Sequence, residues 1–399
     1  MGDILFRNGR PAVYAAIDLG ATSGRVMLGD GSGNLREIHR FPTPMLHAEK
    51  GIFWDFEQLS AGVIEGLSKL DAAADNIVSV SCDSWAQDFG FLDESGKLVH
   101  DPFSYRDKNS EIHTKARLEY IEQKFPELRK KAHCMLHISD LIHHCLCGAA
   151  RSNYTLTAFS KLPCDYELFG RMADSEVIGT INHPALPKLA GVPVVSGAGH
   201  DTAAAYVGGN VQNDELLISL GTWFMMAEPW DKNDPVPENF GLLPLPGHKS
   251  ARTAGGMGMW PFQQCVKLWK ERGDFPGYPA LDAAAANSAV TGSINPDEPS
   301  LFSPENMEDA IFELIGRPLA PGDVTALLLR GVAKRLGEAV KSFDKEFKRV
   351  VLVGGASSSP LIRELIAREL SAPLAFGNSE ASAFGNICIQ QQVMRDFHA

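Results

Sequence analysis

Apolar residues at the start of the chain fall into short runs and then into a helical pattern. Val13–Leu19 and Arg25–Gly29 are apolar runs joined by a tight turn of small residues, which predicts a β-hairpin. Leu35–Arg40 is expected to add a third strand. Apolar spacing over residues 57–74 predicts a helix, and Ile77–Cys82 then predicts a buried strand. This order predicts an α/β domain with a mixed sheet.

A similar order returns in the second half of the chain. Leu216–Leu220 and Trp223–Ala227 predict another pair of strands around a turn. A helix over Val324–Phe343 and a strand over Arg349–Val353 are expected later. Such a repetition favours two related units with a site between them.

Turn-forming residues mark a boundary between these units. The stretch GGNVQND begins at Gly208, and we place the boundary there, which gives domains 1–208 and 209–399. Residues 230–246 are rich in proline, and we expect a loop over the second domain.

Composition narrows the class of protein. The formal net charge of −12, with 44% hydrophobic and 22% charged residues, is typical of globular proteins and argues against nucleic acid as a partner. No apolar run approaches the length of a membrane span or a signal peptide, so we expect no membrane association. Seven cysteines without a disulfide-like spacing favour a reducing compartment, and we expect a cytoplasmic location.

The first turn has the residue types of a phosphate site. Small residues after Asp18 let backbone N–H groups approach phosphate oxygens, and the Asp18 carboxylate can orient a hydrated Mg²⁺. The Gly-Lys-Ser/Thr ending of a Walker A loop is absent. An ordinary hairpin remains the alternative for this segment alone.

Two further turns in the second half have a similar character. Gly221 and Thr222 follow an apolar strand, and Gly354 and Gly355 stand between a strand and a helix. Glycines there would let a phosphate or a flat ring approach the backbone. Simple connections between elements are the alternative for both.

Asp201 follows Gly199 and His200 and opens an Ala-rich helix. It can be an N-terminal cap of that helix. It can equally be a general base that takes the proton of an attacking hydroxyl, as phosphoryl transfer requires. The residues alone leave both interpretations open.

Hydrogen-bonding side chains are dense over residues 81–90, with Trp85 among them, and residues 104–107 follow. Such a set is typical of a polyol pocket, although a strand with polar ends is the alternative. The His and Cys residues between His133 and Cys147 lack zinc-ligand spacing, and we interpret them as a helix ended by Gly148.

In this order, the motifs resemble the FGGY carbohydrate kinases of the actin, hexokinase and Hsp70 superfamily, and within that family the rhamnulokinases. The resemblance runs from about Ala15 to Gln390. It rests on residues 16–25, Asp83–Phe89, Gly199–Thr202 and Ser219–Trp223, and on the glycine pair with the closing Glu380–Asn386 stretch. It implies two actin-like (ribonuclease-H-like) domains with an interdomain cleft.

The resemblance also implies roles for single residues and the cofactors ATP and Mg²⁺. It makes Asp201 the catalytic base and Asp18 a ligand of Mg²⁺ through water. The residues that it assigns to ATP are Ala21, Thr22, Ser23, Gly24, Arg25, Gly221, Thr222, Gln263, Gly354 and Gly355. The residues that it assigns to the sugar are Asp83, Trp85, Ala86, Tyr105, Arg106, His200, Thr202 and Gly255.

Two positions depart from the rhamnulokinase pattern. Ala86 stands where a pocket Gly is expected, and Gly255 where a sugar-contacting Asn is expected. The resemblance therefore implies a kinase for L-rhamnulose, L-fuculose or another ketose, and it leaves room for a homo-oligomer. A non-catalytic ATP-binding switch or a sugar-sensing regulator on the same fold is the alternative.

Overall fold

The computed structural model describes residues 6–7, 10–49, 51–107, 113–231 and 233–398. In chain order, the strands are β1 (Phe6–Arg7), β2 (Arg10–Pro11), β3 (Val13–Leu19), β4 (Ser23–Gly29), β5 (Leu35–Pro42), β6 (Met45–Ala48), β7 (Gly51–Trp54), β8 (Ile77–Ser84), β9 (Phe89–Leu92), β10 (Cys134–His137), β11 (Arg151–Asn153), β12 (Arg171–Ala173), β13 (Glu176–Thr180), β14 (Pro193–Ser196), β15 (Glu215–Leu220), β16 (Trp223–Pro229), β17 (Gly241–Leu245), β18 (Lys249–Met257), β19 (Arg349–Val353) and β20 (Leu374–Phe376). The α-helices are α1 (Phe56–Ser68), α2 (Thr114–Lys124), α3 (Pro126–Lys131), α4 (Ile138–Cys147), α5 (Tyr154–Thr157), α6 (Asp201–Gly209), α7 (Trp260–Arg272), α8 (Tyr278–Ala286), α9 (Met307–Ile315), α10 (Pro321–Lys341), α11 (Pro360–Glu369) and α12 (Ala381–His398).

Two six-stranded sheets organise the molecule. The first has the order β13-β14-β8-β3-β4-β5, and the second has the order β17-β18-β16-β15-β19-β20. In each sheet an antiparallel hairpin, β3–β4 or β15–β16, is flanked by one antiparallel strand and by two parallel strands. This arrangement is the ribonuclease-H-like unit, so the predicted fold of two such units is confirmed.

The central strands are apolar because both of their faces are covered. Each residue of β8 is buried, and β3 is buried from Tyr14 to Leu19. The helix predicted over residues 57–74 begins at Phe56 and ends at Ser68, and the Asp55 side chain caps it by accepting from the Gln58 N–H at 2.9 Å. The strand predicted over Ile77–Cys82 extends to Ser84, so Asp83 lies inside it.

One predicted loop is wrong in part. Residues 230–246 contain β17, which pairs antiparallel with β18 at the edge of the second sheet. Pro244 lies within β17, and an edge strand tolerates proline because one side of it needs no ladder hydrogen bond. The helix that the sequence predicts before Gly148 is α4. Its C-terminal cap is Gly148, which has a left-handed conformation with φ of 73°.

Helices α6 and α12 pack between the two sheets. Their backbones approach closely: a Cβ on Gly208 would lie 2.1 Å from the Ala381 carbonyl oxygen, and one on Gly385 would lie 1.8 Å from that of Ala204. One hydrophobic cluster includes these helices together with Ala16 of the first sheet and Val351 of the second, among others. Helix α12 falls within the range expected for the second domain, but it also packs against β3 and β8 of the first sheet.

Candidate active site

The first turn, between β3 and β4, is held by local backbone bonds. The Gly20 N–H donates to the Ser23 carbonyl oxygen at 3.1 Å, and Thr43 closes the turn with its hydroxyl on the Gly20 carbonyl oxygen at 2.7 Å. Thr22 is exposed, whereas Gly24 is buried and a Cβ there would lie 2.4 Å from the Phe41 ring. The absence of a side chain at Gly24 therefore serves core packing, and the open part of the turn is residues 21–23.

Asp18 and Arg25 are directly opposed on the two strands of this hairpin. The Arg25 guanidinium forms ion pairs with Asp18 and with Glu380, which directly precedes α12. The two carboxylates raise the pKa of Arg25 against the opposing effect of its burial. Arg25, one of the residues expected to bind ATP, thus ties the first sheet to the start of the last helix.

Asp83 lies beside Asp18 on the neighbouring parallel strand. Its side chain is fully buried, its Oδ2 accepts from Asn386 Nδ2 at 2.8 Å, and its Oδ1 has no hydrogen-bond partner. Burial and then the Asp18 charge raise the pKa of Asp83 well above its ordinary value. Asp83 is therefore a buried partner of α12 in this structure, and it does not face open space as the expected sugar contact would.

Asp201 is the first residue of α6, where its negative charge is favoured by the helix dipole. The Thr202 N–H lies 2.6 Å from Asp201 Oδ1 and 3.0 Å from His200 Nδ1, and the Thr202 hydroxyl lies 3.2 Å from the same Oδ1. Among the described residues none donates a hydrogen bond to Asp201 Oδ2, and the side chain is 34% exposed. This carboxylate has one fixed oxygen and one that can accept a proton.

The carboxylates of the first sheet and of α6 lie within electrostatic reach of one another. Burial raises the pKa of Asp18, Arg25 lowers it, and the charge of Asp201 raises it further. Asp201 contributes in the same direction to the pKa of Asp83. The structure thus brings Asp18, Asp83 and Asp201 within electrostatic reach of one another, and Arg25 pairs with Asp18.

An aromatic group, made up of Trp54, Trp85 and Tyr105, lies at the end of β8. The Trp85 and Trp54 rings are 4.5 Å apart, and the Arg106 guanidinium lies 5.9 Å from the Trp54 ring centroid and 5.8 Å from that of Tyr105. Trp85 is buried, whereas Tyr105 and Arg106, and Ala86 next to Trp85, are half-buried. Of the sequence-predicted sugar residues other than Asp83 and Gly255, Trp85 and Ala86 follow β8, Tyr105 and Arg106 lie in a turn against Trp54 at the end of β7, and His200 and Thr202 lie at the start of α6.

Asp88 is a residue that the sequence interpretation did not assign to the site. Its Oδ2 accepts from Trp54 Nε1 at 2.5 Å and from Trp85 Nε1 at 2.9 Å, and its Oδ1 forms a buried ion pair with Arg117. The Tyr105 N–H also lies 3.3 Å from Oδ2. The sequence shows Asp88 as a carboxylate three residues after Trp85. It does not show that Trp54 and Arg117 also contact Asp88, because both are distant from it in sequence.

The second turn, between β15 and β16, accepts hydrogen bonds from N–H groups at the start of helix α7. The Gly221 and Thr222 carbonyl oxygens accept from the N–H groups of Gly258, Met259 and Trp260 at 2.8–3.2 Å. These bonds satisfy N–H groups that a helix start leaves without partners. The Thr222 hydroxyl donates to Gln263 Oε1 at 2.9 Å, so two of the expected ATP residues are in direct contact.

The glycine pair after β19 lies beside this turn. Gly354 has a φ of 93°, and a Cβ on it would lie 2.6 Å from the Leu220 carbonyl oxygen. Only glycine fits such a left-handed position against a neighbouring backbone. A Cβ on Gly355 would meet nothing within 4 Å, so this backbone borders open space.

Gly255 lies on β18 and is exposed. It is opposite Met225, and a Cβ there would lie 2.6 Å from Met225 Sδ and 3.1 Å from the Phe224 carbonyl oxygen. No contact in the described ranges joins Gly255 to the aromatic group of the first domain. An asparagine at this position would require the Met225 side chain to move.

Two features of the described residues concern metal binding and membrane-spanning helices. In residues 6–7, 10–49, 51–107, 113–231 and 233–398, no three His, Cys, Asp or Glu side chains are grouped to hold a metal ion. No helix within these ranges is both long and apolar enough to cross a membrane.

Comparison with known proteins finds similarity to carbohydrate kinases. A model of the C-terminal domain of the FGGY family of carbohydrate kinases matches residues 216–392. Rhamnulokinase from Bacteroides thetaiotaomicron is 27% identical over 94% of this chain and 90% of its own length. Rhamnulokinase from Pectobacterium carotovorum is 28% identical over 94% and 87%.

Solved structures show the same fold. The ligand-bound xylulose kinase from Lactobacillus acidophilus superposes with a TM-score of 0.74 at 16% identity, over 96% of this chain and 90% of that one. Plasmodium falciparum glycerol kinase with ADP superposes with a TM-score of 0.72 at 11% identity, over 96% and 90%. These structural likenesses show the fold, and the C-terminal domain match and the rhamnulokinase relatives show that this chain is similar to the FGGY family of carbohydrate kinases.

Proposed function

We propose that this ATP-dependent carbohydrate kinase transfers the γ-phosphoryl group of ATP to a ketose, with Asp201 as the general base. The observation that carries the proposal is the Asp201 carboxylate, which has one oxygen fixed by Thr202 and a second oxygen without a hydrogen bond from any described residue. A general base needs such an oxygen within reach of the attacking hydroxyl. No observation favours the non-catalytic switch.

The charges around Asp201 fit a hydrated Mg²⁺ that is bound with the nucleotide. Asp18 is buried, and burial together with the charge of Asp201 raises its pKa, an effect that a bound cation would oppose. Mg²⁺ keeps several waters and uses one or two carboxylates together with nucleotide phosphates. When bound, the ion would offset negative charge on the transferred phosphoryl group.

The two domains would divide the substrates. We assign ATP to the turn at residues 21–23, to the Thr222–Gln263 pair and to the glycines 354–355, since Thr22 is exposed, Gly355 borders open space, and the Thr222 and Gln263 side chains contact each other. We assign the sugar to Trp85, Ala86, Tyr105 and Arg106 with His200 and Thr202. Asp83 is left out of the sugar contacts because its carboxylate is fully buried against Asn386. Closure of domains 1–208 and 209–399 would exclude water, the competing acceptor.

The sugar is the finer part of the proposal. The relatives are named rhamnulokinases, so L-rhamnulose is the first sugar to test, followed by L-fuculose and other ketoses. Ala86 and Gly255 change the expected pocket lining, and we propose that a ketose other than L-rhamnulose is preferred.

The experiment measures ADP formation from Mg-ATP with a panel of ketoses and polyols, using the unmodified protein and Asp201→Asn. We expect Asp201→Asn to lower kcat by about 10² or more, the range of general-base loss, while calorimetry shows retained ATP and sugar binding. Asp309→Asn is the matched control, because Asp309 is also a carboxylate in the first turn of a helix, α9.

If Asp201 were only a favourable charge at a helix start, both variants would lose a little stability and keep their kcat. Near-normal turnover by Asp201→Asn on the best ketose would therefore remove it as the base. Absence of turnover on every sugar of the panel would contradict the ketose assignment.

A further inference from the structure

The backbone that leads into Asp201 lies between a strand and a helix, and a β-bridge joins His200 to Ser84. Strand β14 ends at Ser196 and helix α6 begins at Asp201, so residues 197–200 lie between them. Gly197 through His200 are buried. Buried N–H and carbonyl groups outside helices and sheets need other partners, so the side chains that supply them decide where this segment lies.

Asn153 supplies two of these backbone partners, and Ser84 supplies another, since its N–H donates to the Gly199 carbonyl oxygen at 2.8 Å. The Asn153 Nδ2 donates to Ser196 Oγ at 2.9 Å and to the Gly197 carbonyl oxygen at 2.6 Å. The Asn153 Oδ1 accepts from the Gly199 N–H at 3.1 Å. The Asn153 side chain is 1% exposed, and a Cβ on Gly199 would lie 2.8 Å from Asn153 Cγ. The amide and the segment therefore fit each other closely.

Thr155 extends this support by one residue toward the base. Its hydroxyl accepts from the His200 N–H at 3.1 Å and donates to Asn153 Oδ1 at 2.7 Å. The hydroxyl thus joins the backbone directly before Asp201 to the Asn153 amide in one chain of hydrogen bonds. A buried network of this kind, fully satisfied, fixes a single arrangement.

We propose that Asn153 and Thr155 are positioning residues for Asp201, an inference that rests on the proposed role of Asp201 as the base. They act through the backbone of Gly199 and His200. Loss of the Thr155 hydroxyl leaves the buried His200 N–H without its partner, and the segment shifts to find another. A displacement of about 1 Å at a catalytic group costs about 10² in rate.

Helix α5 offers an internal control two residues further on. Thr157 is as buried as Thr155, with both side chains 0% exposed. Its hydroxyl oxygen has no hydrogen-bond partner among the residues that the structure describes. Replacing Thr157 by Val therefore makes the same chemical change in the same helix without touching the segment before Asp201.

The experiment compares Thr155→Val, Thr155→Ser and Thr157→Val by steady-state kinetics with Mg-ATP and the best ketose. We expect Thr155→Val to lower kcat by about 10² with an unchanged KM for ATP. Thr155→Ser, which keeps the hydroxyl, should recover most of the loss, and Thr157→Val should keep the unmodified kcat. Thermal unfolding and ATP binding are measured for each variant, and Thr155→Ala replaces Thr155→Val if the latter does not fold.

Unmodified kcat in Thr155→Val, or an equal loss in Thr157→Val, would overturn the inference. Equal losses in Thr155→Val and Thr155→Ser would also overturn it, because the hydroxyl would then not be the cause. Asp201→Asn separates the two proposals. If Asp201→Asn is inactive while Thr155→Val is normal, only the positioning role fails, whereas a normal Asp201→Asn removes the base itself.

Discussion

The two hairpins occupy the same place in the five strands that the sheets share, β5-β4-β3-β8-β14 and β18-β16-β15-β19-β20, yet their side chains differ in charge. In the first sheet, Asp18 is opposite Arg25 on one neighbouring strand and Asp83 on the other. In the second sheet, Ser219 has the corresponding place, opposite Met225 and Val353. The same unit therefore presents three ionisable groups in one half and none in the other.

The difference teaches how one fold unit serves two tasks. Asp18, just before the first turn, lies within electrostatic reach of Asp201, and under the proposed function the charge of the transferred group and its cation would be balanced there. The second turn has no carboxylate at the corresponding positions, and it offers a hydroxyl bonded to an amide, Thr222 to Gln263. Neutral groups there avoid repulsion of an anionic nucleotide, which agrees with the proposed division of substrates.

The largest effect on activity is expected when a charged side chain of the first sheet, Asp18, is made neutral. Asp18→Asn should lower kcat by about 10–100-fold and raise the Mg²⁺ requirement, as for residues that orient a metal through its water shell. Ser219→Ala, at the corresponding position of the second sheet, should change neither. Activity titrated against Mg²⁺ measures both variants, and an unaltered curve for Asp18→Asn would remove Asp18 from the mechanism.

A smaller effect is expected on the selectivity between sugars. Ala86 is a half-buried residue next to Trp85, and its methyl group is expected to narrow the pocket. Ala86→Gly should raise kcat/KM for L-rhamnulose relative to the preferred sugar by about tenfold, since one methyl group in a pocket changes discrimination by about 1–3 kcal/mol. Competition kinetics with paired ketoses measure this ratio.

Gly255→Asn sharpens the test from the second sheet, and it should be combined with Met225→Ala because of the close approach to Met225 Sδ. If the unmodified enzyme already prefers L-rhamnulose over every other ketose, the argument from Ala86 and Gly255 is wrong.

Changes to the neutral Thr222–Gln263 pair of the second half should affect only the KM for ATP. Thr222→Val removes the hydroxyl that donates to Gln263 and should raise KM for ATP by about fivefold, the equivalent of about 1 kcal/mol for one hydrogen bond. Thr180→Val, an exposed threonine of β13, is the control. A double-mutant cycle with Gln263→Ala measures the coupling, and strict additivity would show that the pair does not act together in binding.

The smallest effect concerns stability and again separates the halves. Asp140 is buried in α4 of the first domain, and burial raises its pKa from 3.8 to about 7. The second domain buries Glu228, but Arg252 and Lys345 pair with it. The folded protein therefore binds an extra proton at Asp140 between pH 3.8 and about 7, and the free energy of unfolding falls as the pH rises through this window.

Asp140→Asn keeps an oxygen for the Asn153 N–H, which lies 3.1 Å from Asp140 Oδ2, and removes the ionisation. The nearby His137 remains neutral, since burial lowers its pKa to about 3. We expect a higher Tm at neutral pH, where about 1 kcal/mol corresponds to about 2–4 °C, and a flatter dependence of Tm on pH. An unchanged slope between pH 3.8 and about 7 would contradict the buried carboxyl as its source.

Local patterns in the sequence determined the strands, the helices and their repeated order. Apolar runs such as Val13–Leu19 predict strands because side-chain periodicity is a local property. Small-residue turns and Asp201 were likewise visible, since turn chemistry depends on adjacent residues. These features predicted two α/β units, and the resemblance of the ordered motifs to the FGGY carbohydrate kinases implied the ribonuclease-H-like fold and the kinase activity.

Only the tertiary structure decided which distant residues meet. Strand register placed Asp18 beside Asp83, and the return of α12 to the first sheet buried Asp83 against Asn386. The support of the backbone before Asp201 by Asn153 and Thr155 also joins segments more than 40 residues apart. Such contacts depend on packing and strand pairing between remote parts of the chain, and no local pattern specifies them.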